Sequence, residues 1–160
     1  MVLSIKEQLK LLFTNPVFLS CIVSWFCAQF LKTIIALIYH RIRNLPELFE
    51  MMFWRTGGIP SSHSAIISAL CTSIAFRSGI HSDIFVLSFC FLLVTVRDAL
   101  GVRHASGIQA RTLNEIGGDL NRAKIIKYTP IKEVKGHTPF EVIVGILLGF
   151  SIGCALSTLQ

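Results

Sequence analysis

Nine consecutive residues concentrate the chemistry of this chain: Gly57-Gly58-Ile59-Pro60-Ser61-Ser62-His63-Ser64-Ala65, at the mouth of an apolar run. Glycine backbone can approach an anion closely. Pro60 suits the first turn of a helix, where its missing N–H costs nothing. The open N–H groups of such a turn attract negative charge. Ser61 and Ser62 add hydroxyl donors, and His63 can exchange a proton near neutral pH. Together these residues suit holding a phosphate and moving a proton to it. They would also serve an ordinary serine-capped helix start with an incidental histidine.

A second segment, Gly136-His137-Thr138-Pro139-Phe140-Glu141-Val142, opens the last apolar run. His137 and Glu141 stand four residues apart and share a helix face. A carboxylate bonded to one imidazole nitrogen fixes the tautomer and leaves the other nitrogen available as a nucleophile. The helix dipole alone would also favour an acid here.

The 160 residues that must position these groups make one domain, 52% hydrophobic and 15% charged, with a mean hydropathy of +0.65. Soluble domains carry about 25% charge, so an all-α polytopic membrane bundle is expected. The formal net charge of +6 suits anionic lipid or phosphate partners. It could also suit nucleic acid, but the apolar mass leaves too little soluble surface, and no such partner is expected. Cys21, Cys27, Cys71, Cys90 and Cys154 sit in apolar runs without zinc-ligand spacing. They are expected to be reduced packing residues, with no metal site and no cofactor. No cleavable signal is expected, since the run after Lys6 and Lys10 is long enough to stay as an anchor.

About four spans are expected, with interfacial helices beside them. Residues 1–16 form an N-terminal interfacial segment, with an amphipathic helix over 3–13 ended by Asn15-Pro16. Residues 17–39 make the first span, interrupted by Gln29 and Lys32, with His40, Arg41 and Arg43 at its exit. Residues 45–54 suit an interfacial helix anchored by Phe53-Trp54. The second span runs from Ser61 to about Phe76 and is rich in small residues, which places it inside the bundle. The third runs from Asp83 to Arg97, and the fourth from Pro139 to about Leu159. A basic insert, 104–136, separates the last two. In it, Gln109 to Glu115 reads as a short helix and Gly117-Gly118 as a break. Gly145, Gly149 and Gly153 form a small-residue face suited to close packing within the bundle or across a homo-oligomer, with the bundle favoured.

Alternating spans put Lys32, His63, Arg97, Asp98, Arg103, His137 and Glu141 at one face of the membrane. Ionisable residues at membrane depth are costly and mark functional sites by default. Eleven Lys/Arg outside the first span lie on that side, against Lys6, Lys10 and Arg77 on the other. The positive-inside rule then turns this face to the cytoplasm, in an integral protein of a bacterial cytoplasmic membrane.

Pro60-Ser61-Ser62-His63 resembles the Pro-Ser-Gly-His signature of the type 2 phosphatidic acid phosphatase superfamily, which includes vanadium haloperoxidases. His137-x-x-x-Glu141 resembles the His-x-x-x-Asp end of its third signature. The set is similar to the divergent branch described as acid phosphatase/vanadium haloperoxidase-related. It includes Ala28-Gln29-x-x-Lys32, Asp98-x-x-Gly101-Val102-Arg103 and Gly136-His137-x-Pro139-x-Glu141-Val142. The resemblance covers roughly residues 20–155. It implies that His137 is the nucleophile, Glu141 its orienter and His63 the general acid. Ser61, Ser62, Lys32 and Arg103 would hold the phosphate, with Arg97 as a substitute for Arg103. Asp98 would pair with Arg97 or Arg103, or support His63. The implied substrate is a lipid phosphate, hydrolysed at a phosphomonoester or pyrophosphate.

The sequence departs from the wider superfamily in three places. Tyr39 stands where an Arg-Pro is usual, Arg103 precedes His137 by 34 residues rather than six, and Glu141 replaces aspartate. Two rival readings use the same residues. One is a non-catalytic membrane module that binds anionic lipid or scaffolds partners. The other is a haloperoxidase, which the membrane setting disfavours. His104 is a minor alternative nucleophile, while His40 and His81 read as surface residues.

Overall fold

The structure is a computed structural model and describes residues 3–39, 44–53, 58–133 and 136–159. His40, Arg41, Arg43, Trp54 and Gly57, named above, lie outside the described residues, as do Arg55 and Lys135 of the eleven counted Lys/Arg. The described residues contain helices and no strand.

Helix α1 (Ile5–Phe13) opens on a reciprocal cap, in which Ser4 accepts from the Glu7 N–H and donates its own N–H to Glu7 at 2.9 Å. The Ser4 hydroxyl and N–H hold the Glu7 carboxyl below the usual carboxylate range. None of its residues is buried, and Ile5, Leu9, Leu12 and Phe13 are exposed, as befits a helix lying on a bilayer.

Helix α2 (Pro16–Ile38) starts on an Asn15 side-chain cap, with Pro16 in the first turn. Helix α3 (Leu45–Phe53) packs against α2. Helix α4 (Ser62–Ser78) packs against α2, against α5 (Asp83–Arg97) and against α7 (Pro139–Thr158). Helix α5 passes through a π-helical turn (Asp98–Val102) into α6 (Arg103–Arg122).

Among the described residues, three helical stretches are long and apolar enough to cross a membrane: Pro16–Ile38, Asp83–Arg122 and Pro139–Thr158. The expected second span, α4, has 17 residues and falls short of that length. It is the most enclosed helix, so protein rather than lipid covers its polar groups.

The interior is small and hydroxylated, while the large apolar side chains face outward. Ser20, Ser24 and Ala28 of α2 are buried, as are Ser64, Ala65, Ser68 and Ala69 of α4. Phe26, Phe30, Phe91 and Phe150 are exposed. Lipid tails remove the hydrophobic drive between helices, so close backbone packing and interhelical hydrogen bonds hold the bundle instead. Ser73 donates to Ser20 Oγ at 2.8 Å, and Ser68 to the Ile146 carbonyl at 2.8 Å. The glycine face of α7 is used within the chain: a Cβ at Gly145 would strike the Ser61 carbonyl, and one at Gly149 the Ala65 carbonyl.

The insert corrects the sequence reading. Gly117-Gly118 does not break the helix, because α6 runs unbroken from Arg103 to Arg122. Glycine weakens a helix by about 1 kcal/mol relative to alanine, but here Gly117 admits the Tyr128 ring, whose carbons lie 2.5 Å from where a Cβ would sit. The chain then returns along α6. Asn114 bonds the Tyr128 hydroxyl at 2.7 Å and the Ile131 N–H at 2.9 Å.

Candidate active site

Four elements deliver the candidate residues to one place. Ser61 caps α4, and its Oγ accepts from the Ser64 hydroxyl at 3.0 Å and the Ser64 N–H at 3.4 Å. Ser61 and Ser64 are completely buried, and Ser62 is buried beside them. The loop ahead of them lies over Lys32. Gly58 has φ +88°, a conformation that favours glycine, and a Cβ there would touch the Lys32 stem at 3.6 Å.

Helix α7 opens with a second reciprocal cap. Thr138 Oγ1 accepts from the Glu141 N–H at 3.3 Å, and the Thr138 N–H donates to Glu141 Oε2 at 3.2 Å. The same carboxylate oxygen lies 2.8 Å from His137 Nδ1. One oxygen thus caps the helix and fixes the imidazole, so Nδ1 is engaged and Nε2 is left for chemistry. His137 is buried, with its side chain 3% exposed.

The π turn supplies the third contribution. Residues five apart on an α-helix point about 140° apart, but one π turn returns them to nearly the same side. Here Arg103 donates its backbone N–H to the Asp98 carbonyl and its Nε to Asp98 Oδ2 at 2.7 Å. Asp98 therefore pairs with Arg103, and Arg97 stays exposed at the end of α5. The turn also offers the Ala99 carbonyl to the His137 N–H at 3.2 Å. The 34-residue gap between Arg103 and His137 closes on itself: Gly136 lies so near His104 that a Cβ would come within 2.7 Å of its Cα. The side chain of His104 is exposed.

Lys32 is the fourth contribution. It is 4% exposed, and its ammonium takes no hydrogen bond or ion pair among the described residues. The Glu141 carboxylate acts on it electrostatically. His63 is exposed, and Arg103, Lys32 and Asp98 lie near enough to act on it electrostatically, with the His137 ring also close by. The structure thus brings Lys32, Ser61, His63, Asp98, Arg103, His137 and Glu141 together. Among the described residues, Arg97 forms no hydrogen bond or ion pair with this group.

Sequence reasoning overlooked Thr138, Ser64 and the Ala99 carbonyl. A Thr-x-x-Glu pattern before an apolar run is a capping-box signal, so Thr138 was detectable. Ala99 carries no side-chain signal, since only its backbone takes part.

The Divergent PAP2 family profile matches residues 13–152. The chain is 36% identical over 157 residues to the uncharacterized membrane protein YuiD of Bacillus subtilis (strain 168), covering 91% of this chain and 96% of that protein. No solved structure matches.

Proposed function

The chain belongs to the divergent PAP2 family, and from that premise we propose that it is a membrane-embedded lipid phosphatase working through a phosphohistidine. The observation that carries this reading is Lys32: a buried ammonium with no hydrogen bond or ion pair among the described residues, within electrostatic reach of Glu141. A buried cation is stable only with a counter-charge, and a phosphate head group supplies one.

In this reading the phosphate lies between His63 and His137. Lys32 and Arg103 neutralise its oxygens, and Ser61, Ser62 and nearby N–H groups bind them. Charge stabilisation of this kind is usually the largest catalytic contribution. His137 Nε2 attacks phosphorus, and the bond from phosphorus to the lipid oxygen breaks. His63 gives its proton to that departing oxygen. A water then attacks the phosphohistidine, His63 takes its proton, and inorganic phosphate leaves with His137 restored. Glu141 stabilises the charge that develops on the His137 ring, while Asp98 positions Arg103 through their ion pair.

The lipid tail extends into the bilayer, with the head group at the basic mouth. That mouth faces the cytoplasm of a bacterial cytoplasmic membrane, by its excess of Lys and Arg.

The test is a panel of lipid phosphates, monoesters and pyrophosphates, assayed with purified protein in detergent beside His137→Ala. Phosphate release by the wild type and none by the variant supports the enzyme. Equal lipid binding by both, with release by neither, would establish the non-catalytic lipid-binding module instead.

A further inference from the structure

The α6 hairpin lies outside the site and leaves an apolar face uncovered. At about 100° per residue, Ala110, Asn114, Gly117 and Asn121 fall on one side of α6, where Ala110 and Gly117 are buried and the returning segment binds. Ile108 and Ile116 fall on another side, with Leu113 between the two. All three are more than half exposed. The returning segment adds exposed Ile125 and Ile126. Large apolar side chains turned outward along one side of a helix suit it to lie on an apolar interface.

We propose that this hairpin seats its apolar face on the anionic surface of the bilayer from which α5 emerges. Two observations select this occupant. Residues 103–133 carry six Lys/Arg against three Asp/Glu, and Lys124 and Lys127 flank Ile125 and Ile126 in the chain. Like charge opposes a second copy of the same hairpin on this face, whereas anionic head groups complement it. The hairpin is also continuous with a membrane-crossing helix through the π turn, which holds its first residues at the membrane surface. π turns are among the features that bend helices, so Asp98–Val102 is where the chain turns from crossing the bilayer to lying on it. An amphipathic helix with basic flanks and an apolar face is the form that binds there.

The test uses the full chain with its five cysteines replaced, reconstituted in lipid nanodiscs. A fluorophore is placed through Ile116→Cys or, on the opposite side, Arg111→Cys, with Leu113→Cys as a second reporter should the first fold poorly. Lipids carrying a quencher on the upper acyl chain should quench the Ile116 or Leu113 probe several-fold more than the Arg111 probe. Adding phosphatidylglycerol to phosphatidylcholine should increase that quenching, and Lys124→Glu with Lys127→Glu should reverse the increase. Equal, weak quenching at both sides overturns the proposal. Energy transfer between two labelled copies without lipid quenching also overturns it, by placing a second copy on this face. Quenching indifferent to head-group charge overturns the choice of an anionic surface.

Discussion

The backbone N–H of Ser61 donates to the backbone carbonyl of Glu141 at 3.0 Å. This bond makes the openings of α4 and α7 one unit. Ser61 caps the helix that carries His63 in its first turn, and Glu141 closes the cap that holds His137. The spacing of the two histidines is therefore set by backbone rather than by flexible side chains. The glycines of α7 make the approach possible, because a side chain at Gly145 would meet the same Ser61 carbonyl. Preorganisation of this kind places reacting groups without reorganisation at the moment of reaction.

The two histidines should fail differently. His137→Ala removes the nucleophile, so turnover and the covalent intermediate both vanish. His63→Ala removes a proton donor, an effect worth about 10²–10⁴-fold. That loss should shrink with substrates whose leaving oxygen needs no proton, such as aryl phosphates. Steady-state rates on alkyl and aryl substrates check this. Near wild-type rates for His137→Ala would refute the assignment.

Glu141 has two tasks, and two substitutions separate them. Glu141→Gln keeps the length but removes the charge that favours an imidazolium, and should lower kcat by about 100-fold or more. Glu141→Asp keeps the charge but is one methylene short of joining His137 Nδ1 to the Thr138 N–H. A displacement of about 1 Å can cost roughly 10²-fold, so kcat should fall here too, with loss of helix stability at the α7 cap. Circular dichroism melting beside kinetics distinguishes the two. Identical melting of both variants would show that the cap does not depend on carboxylate reach.

Much of this arrangement was legible in the sequence. The apolar runs, the Pro-Ser-Ser-His and His-x-x-x-Glu segments and the convergence of Lys32 with His63 follow from hydropathy and alternation of spans. The path of the insert was less so. Gly117-Gly118 reads as a break, because propensity is local while the Tyr128 ring that fills the gap comes from 11 residues away. The family resemblance already prefers Arg103 to Arg97, but the π turn that aligns Arg103 with Asp98 is announced by no side-chain pattern. In an unbroken α-helix, Asp98 and Arg103 would point apart.

Lys32→Met should abolish phosphate binding without harming the fold. Removing a buried charge that makes no hydrogen bond or ion pair among the described residues relieves desolvation, and an apolar replacement of similar volume is often neutral or stabilising. The expected result is no measurable turnover with an equal or higher Tm in detergent. A clear drop in Tm would mean that Lys32 serves the fold.

Vanadate and tungstate should inhibit competitively. Both adopt the five-coordinate geometry of phosphoryl transfer, which the site should bind more tightly than its substrate. Lys32 and Arg103 supply fixed positive charge, so chelators should leave the rate unchanged. Activity lost to EDTA and restored by magnesium would refute this account of charge neutralisation.

One substitution should have opposite effects at two glycines. At Gly118 a Cβ meets nothing within 4 Å, so Gly118→Ala gains helix propensity and should stabilise by about 0.5–1 kcal/mol. At Gly149 the same Cβ runs into the Ala65 carbonyl, a backbone atom of α4 that cannot turn aside as a side chain would. Overpacking typically costs about 1–3 kcal/mol, which outweighs the propensity gain, so Gly149→Ala should destabilise. It should also reduce turnover, because forcing α7 away from α4 strains the Ser61–Glu141 bond and separates His137 from His63. Gly118→Ala lies in the hairpin and should leave the rate unchanged. Thermal melting and turnover of both variants in one detergent provide the check. A Gly149→Ala protein with wild-type stability and rate would show that α7 can move without consequence, and that the two histidines are not held by this helix contact.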